Sequence, residues 1–343
     1  MLLVLFGHMP LPATLPAWLH GPLAVLQRGG WAGVDLFFVL SGFLVSGLLF
    51  REWQETGRFR VGRFLIRRGF KIYPAFYVML AVVFLWSASM GRFPGWKYVA
   101  SEGLFYQNYG PAIFPHTWSL AVEEHFYLTL PLFLWLFRGT REAPFRSLPF
   151  LVGAVAGTTL ILRVLNLEGI DPEEIAATDP QALRGMYTPT HLRCDALFFG
   201  VLLSWIYHFR RPWFDAMGRR PWLLVAIGLP LCLPPFIWKL GPIIPLMTVG
   251  FTALYLGAGA LLVAFLGRQW SFRPLAAIGF YSYSIYLWHI PLRNILFPKI
   301  LPPDAAPLLK IGCYFGLSFV GGILLAWLVE IPALRLRERR FPK

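Results

Sequence analysis

Charge is what this sequence has least of. Asp, Glu, Lys and Arg fill 14% of its 343 positions, against about 25% in a soluble domain; hydrophobic residues fill 57% and the mean hydropathy is +0.59. That shortage excludes a water-soluble globule. Cysteine is also scarce. Cys194, Cys232 and Cys313 lie in or beside apolar runs without C-x-x-C or Cys/His spacing, which excludes a metal-ligand pattern and reads as free, buried thiols. The N-terminus, MLLVLFGH, has no basic region and no small-residue cleavage site, so it is not a signal peptide. Strict alternation over about ten residues, the mark of a membrane β-barrel, is missing too. No internal repeat or low-complexity stretch stands out.

What is there is a succession of apolar runs of about 20 residues, each long enough to cross a hydrocarbon core about 30 Å thick. They read as helices, because only helices and closed barrels satisfy their backbone in lipid. Leu2–Met9 is too short to span and reads as a helix that begins partway in, before turns at Pro10, Pro12 and Pro16. The further spans are Trp31–Phe50, Phe70–Ser89, Trp118–Phe137, Leu148–Leu165, Leu192–Tyr207, Trp222–Trp238, Ile244–Leu266, Leu275–Leu296 and Leu308–Glu330. The expected fold is therefore all-α, a polytopic membrane protein of about ten transmembrane helices forming a single domain over 1–343. Sorting loop charges by alternate sides puts some two thirds of the 31 Lys and Arg on one side, which by the positive-inside rule places both termini and the 51–71 loop in the cytoplasm. The net charge of +14 is thus topological and does not point to nucleic acid. The acidic run Glu168, Asp171, Glu173, Glu174 and Asp179 reads as a solvated outer loop.

Ionisable residues inside spans are costly and mark interiors or water-filled cavities. In this topology they gather near the outer ends of distant spans: His8, Asp35, Glu123, Glu124, His191, Asp195 and His289. Spacings of three and four put Ser119, Glu123 and Tyr127 on one stripe, Ser282, Tyr286 and His289 on another, and allow His191 to pair with Asp195. Such stripes also serve as interhelical hydrogen bonds. His8 points to chemistry, since a neutral imidazole at a span end can act as a general base near neutral pH and a carboxylate neighbour would orient it. On the other face, Arg63, Arg67 and Lys71 recur every four residues as a basic ridge suited to phosphate.

The chain resembles the integral-membrane acyltransferase family 3, which O-acylates bacterial glycans and some natural products. The resemblance runs over nearly the whole length. It is carried by His8 closing an apolar helix, by GVDLFFVLSGFL over 33–44, RRGFKIYP over 67–74, WSLAVEEHFY over 118–127, RCDAL over 193–197 and YSYSIYLWH over 281–289. Two features depart from it: the family's first helix starts earlier, with an arginine before the part present here, and its Arg-x-x-Arg pair reads Arg68-x-x-Lys71.

The resemblance implies transfer of an acyl group, acetyl foremost, from acyl-CoA as co-substrate to a hydroxyl of a sugar or sugar-containing acceptor. It implies a bacterial inner membrane, no tightly bound cofactor and no metal. Arg67, Arg68 and Lys71 are expected to hold CoA phosphates, His8 to take the acceptor's proton, and Asp35 or Glu123 to orient His8. Ser41 or Trp118 is the expected oxyanion donor, with Asp195, His289 and Ser119 lining the pocket. Ser119 sits in no G-x-S-x-G elbow, so direct transfer is preferred to an acyl-enzyme. A glycan or glycolipid acceptor, membrane lipid and a second copy of the chain are the partners this leaves open. The residues alone also allow a proton-coupled transporter or flippase, or a non-catalytic receptor.

Overall fold

The computed structural model describes residues 1–140, 142–168, 184–238, 240, 244–268 and 273–341. The described residues are helical without strands; one isolated bridge joins Gly139 to Pro144. Of the acidic run, only Glu168 lies among them.

Packing divides the chain into two compact, interleaved units. The first comprises residues 1–30, 62–118 and 271–343. It contains α1 (Leu2–His8), α2 (Ala17–Gly29), α4 (Val61–Ser89) apart from its first residue, α5 (Trp96–Gly103), α12 (Arg273–Ile295) and α13 (Pro307–Arg340). The second comprises 31–61 and 119–270. It contains α3 (Ala32–Thr56), α6 (Trp118–Leu136) after its first residue, α7 (Leu148–Leu167), α8 (Cys194–Phe209), α9 (Arg211–Gly218), α10 (Pro221–Cys232) and α11 (Leu246–Arg268).

Five of these helices, α3, α4, α7, α11 and α13, are long and apolar enough to cross a membrane. A sixth span arises if α9 and the helical stretch Pro221–Ile237, bent by 81° at their junction, count as one. The reading of about ten spans counted more. α8 has only 16 residues, and the polar residues Glu123, Glu124 and His125 dilute α6 in its first two turns. Outward faces are apolar: Phe150 is 81% exposed and Leu328 72%, the reverse of a water-facing surface and the pattern of helices that face lipid. This is an integral membrane protein.

Apolar packing against lipid contributes no hydrophobic drive between helices, so close backbone contact matters more. In the second unit α3 and α8 meet at Gly42 and Gly200. A Cβ on Gly42 would lie 2.0 Å from the Leu197 carbonyl oxygen, and one on Gly200 2.2 Å from that of Val39. In the first unit, α1 is held by Leu5, Met9, Ile285 and Tyr314, a buried cluster flanked by Phe6, Leu23 and Phe315. The three cysteines are free, but only Cys232 is buried; Cys194 and Cys313 are half-exposed. The expectation of three buried thiols therefore holds for one.

Candidate active site

The first unit gathers three imidazoles from three distant segments: His8 at the end of α1, His116 two residues before α6, and His289 on α12. Ring centroids are 5.1 Å apart for His8 and His289, 4.9 Å for His116 and His289, and 6.5 Å for His8 and His116. His116 and His289 are buried; His8 is half-exposed.

Prolines explain much of this arrangement, because a proline removes the backbone donor that a helical carbonyl four residues earlier would use. Pro291 leaves the Leu287 carbonyl without its helical donor, and His116 Nε2 donates to that oxygen instead, at 3.2 Å. The Tyr286 hydroxyl donates back to the His116 carbonyl at 2.7 Å. The loop before α6 is shaped by buried Glu102, whose Oε1 accepts from the Ile113 backbone N–H and the Thr117 hydroxyl, each at 3.0 Å. Burial, with the neighbouring His8 adding to it, pushes His116 down to about 3, so its ring is neutral.

Tautomers follow from the same contacts, since a carbonyl oxygen only accepts. His289 Nδ1 lies 2.5 Å from the Tyr286 carbonyl and therefore carries a proton, leaving Nε2 as an acceptor. His8 Nδ1 lies 3.0 Å from the Val4 carbonyl and 3.3 Å from His289 Nε2. It too carries a proton, shared between those acceptors. The lone pair of His8 is thus on Nε2, which has no hydrogen bond among the described residues. Such a ring is oriented as a base.

The basic ridge of α4 belongs to the same unit and is closed by carboxylates of α13. Arg67 donates to Glu338 at 2.8 Å and to the Phe341 carbonyl at 2.7 Å. Lys71 pairs with Glu330, which is buried and also accepts from the Ser284 hydroxyl at 2.5 Å. Trp118, which ends the middle segment of this unit, is buried.

The second unit holds the remaining candidates. Asp35, in the first turn of α3, takes Arg193 Nη2 on both oxygens at 2.6 Å. Asp195 takes Arg163 Nη2 at 2.6 Å, and Arg163 Nε donates to the Leu192 carbonyl at 2.8 Å. Both guanidiniums sit by the Phe251 ring, 3.8 Å from its centroid for Arg193 and 5.2 Å for Arg163. All four charged side chains are buried. The expected His191–Asp195 pair is absent: Asp195 is spent on Arg163 and His191 is exposed. The stripe predicted on α6 is real at two positions. The Tyr127 hydroxyl donates to Glu123 Oε1 at 2.7 Å and lies 2.5 Å from Ser41 Oγ, so the Ser41 hydroxyl donates to it. Ser119 is buried on the same helix.

Sequence reasoning placed His8 and His289 but missed His116, which lies in a loop without periodicity. It also passed over Glu330 as a partner. Pro291 two residues after His289 is the signal that a carbonyl there needs an outside donor. Among the described residues no group of three or more His, Cys, Asp or Glu is arranged to hold a metal ion.

The profile of the acyltransferase domain of family 3 matches residues 1–327. The chain belongs to the integral-membrane acyltransferase family 3. Among curated relatives, the peptidoglycan O-acetyltransferase OatA of Listeria monocytogenes is 28% identical over 299 residues, covering 80% of this chain and 46% of its own. YrhL of Bacillus subtilis, whose name assigns it provisionally as a peptidoglycan O-acetyltransferase, is 26% identical over 295 residues, covering 77% and 44%. A provisionally named O-acetyltransferase of Staphylococcus aureus strain COL is 27% identical, covering 78% and 47%. This acyltransferase chain spans about half the length of the curated relatives it matches. No solved structure matches it.

Proposed function

We propose that this acyltransferase moves an acetyl group from acyl-CoA to a hydroxyl of a bacterial cell-wall glycan, with peptidoglycan, the substrate in the names of two relatives, as the first acceptor to test. The observation that carries the reading is the half-exposed His8, whose Nδ1–H is tied to a carbonyl and whose Nε2 is left to accept a proton. His8 Nε2 takes the proton of the acceptor hydroxyl as its oxygen attacks the thioester carbonyl. The carbon–sulfur bond then breaks, and the imidazolium returns the proton to the departing thiolate. General-base help of this kind contributes roughly 10²- to 10⁴-fold. Trp118 supplies a donor to the developing oxyanion. Asp35, spent on Arg193, and Glu123, spent on Tyr127, act by holding their helices in place.

In this reading the ridge of α4 faces the cytoplasm with both termini, in a bacterial inner membrane of about ten passages, and Arg67, Arg68 and Lys71 receive the CoA phosphates. Phosphate would exchange with Glu338, 43% exposed, far more readily than with buried Glu330. Arg67 therefore carries more of the donor's binding than Lys71.

Purified protein in detergent is incubated with labelled acetyl-CoA, with and without glycan, and free CoA and labelled glycan are counted. Acceptor-dependent CoA release that His8→Ala loses supports the reading. An intact thioester would mark a carrier, and full turnover in His8→Ala would remove the base.

A further inference from the structure

Four residues beyond His289 on the same helix, Arg293 reaches back to the other histidine. Its Nη1 donates to the backbone carbonyl of His8 at 2.6 Å and its Nε to Asn294 Oδ1 at 3.3 Å. Among the described residues Arg293 has no ion pair, whereas Arg163 and Arg193 are each matched by an aspartate. The contact falls where α1 needs one. A helix leaves its last carbonyls without backbone donors, and α1 stops at His8 because Met9 is extended (φ −66°, ψ 148°). Pro12 has no N–H to give to the His8 carbonyl. Tyr314 of α13 caps the Leu5 carbonyl at 3.0 Å, Gln27 of α2 caps that of Met9 at 2.8 Å, and Arg293 of α12 caps that of His8 itself.

We propose that Arg293 is a positioning residue for His8, pinning the peptide that carries the base and keeping an unneutralised positive charge beside the imidazole cluster. This rests on the reading of His8 as general base. Among the described residues the groups recorded against His8 are His289 and Arg293 from α12 and His116 from the loop before α6, and the caps that α2 and α13 place on the same helix end are the neutral Gln27 amide and Tyr314 hydroxyl. A fixed cation at that place opposes protonation of the ring, so the base stays available at lower pH. It also suits a reaction whose transition state gathers negative charge.

The test compares three variants of the purified protein across pH, each reading acetyl transfer to glycan. Arg293→Gln keeps an N–H for the carbonyl and loses the charge, Arg293→Lys keeps the charge, and Arg293→Met loses both. Met is expected to lower kcat by about tenfold or more, the scale of a displaced catalytic group, with KM for acetyl-CoA unchanged. Gln and Met should both move the acid limb of the rate profile to higher pH, and Lys should leave it in place. Should Met not elute as a monodisperse protein, Gln against Lys carries the same comparison. Profiles of Gln and Lys that superpose on wild type, or a limb that moves equally in both, overturn the proposal. A His8→Ala variant run alongside separates the two ideas: if it keeps turnover the base reading fails, and if it is dead while the Arg293 variants behave as wild type only this inference fails.

Discussion

Two sets of ionisable residues in apolar helices, one in each unit, meet opposite fates. In the second, Asp35 is closed on Arg193 and Asp195 on Arg163, each at 2.6 Å. In the first, His8, His116 and His289 are held by the carbonyls of Val4, Leu287 and Tyr286, and Arg293 holds a carbonyl in place of a carboxylate. A buried ion pair is stable only as a pair, since either member alone is a desolvated charge. A neutral imidazole on a carbonyl is different: one nitrogen is satisfied, and on His8 the other has no hydrogen bond among the described residues. Residues equally conspicuous in an apolar sequence therefore divide into those that hold helices and those able to move a proton.

The contrast can be broken most severely at the imidazoles. His8→Ala should reduce acetyl transfer by roughly 10²- to 10⁴-fold, far beyond the modest fall in melting midpoint that follows from leaving buried His289 Nε2 without its donor. The ion pairs should behave in the opposite way. Arg193→Met strands Asp35 and should cost about 3–5 kcal/mol of stability, read as a fall in the detergent melting midpoint. The double variant Asp35→Leu with Arg193→Met should recover most of it, because a buried ion pair is replaceable by apolar groups of similar volume. If the double variant melts like wild type but transfers nothing, Asp35 does more than hold α3.

Smaller effects sharpen the line. Tyr127→Phe removes the hydroxyl between Ser41 and Glu123 and should cost about 1–3 kcal/mol, again seen by melting. Acidification tests His116. Its value falls from 6.5 to about 3 on folding, so the unfolded chain binds the extra proton between those limits. Stability should decline as pH drops below about 6.5. His116→Asn should flatten that decline; an unchanged slope would assign it to other groups.

Much of the cluster was legible before any coordinates. His8 and His289 stood out because a titratable residue in an apolar run is rare, and Glu123 with Tyr127 because four residues return a helix to the same face. His116 lies in a loop, where no period marks a buried side chain. Arg163 and Arg193 look like charges at span ends until the fold supplies Asp195 and Asp35, 32 and 158 positions away. Glu330 likewise meets Lys71 across 259 positions. The span count was less legible: five or six helices are long and apolar enough to cross among the described residues, α8 is short and α9 breaks from the next helix at 81°, and hydropathy does not register a bend.

Composition alone determined the solvent: a chain this apolar must satisfy its backbone in helices and face lipid. The motifs determined the family, and Pro12 and Pro291 already fixed which carbonyls would lack a helical donor. Which donors came was decided only by tertiary structure, through His116 on Leu287 and Arg293 on His8. A hydrogen bond depends on distance and direction between groups, and residues 171 or 285 positions apart acquire those only when the helices pack.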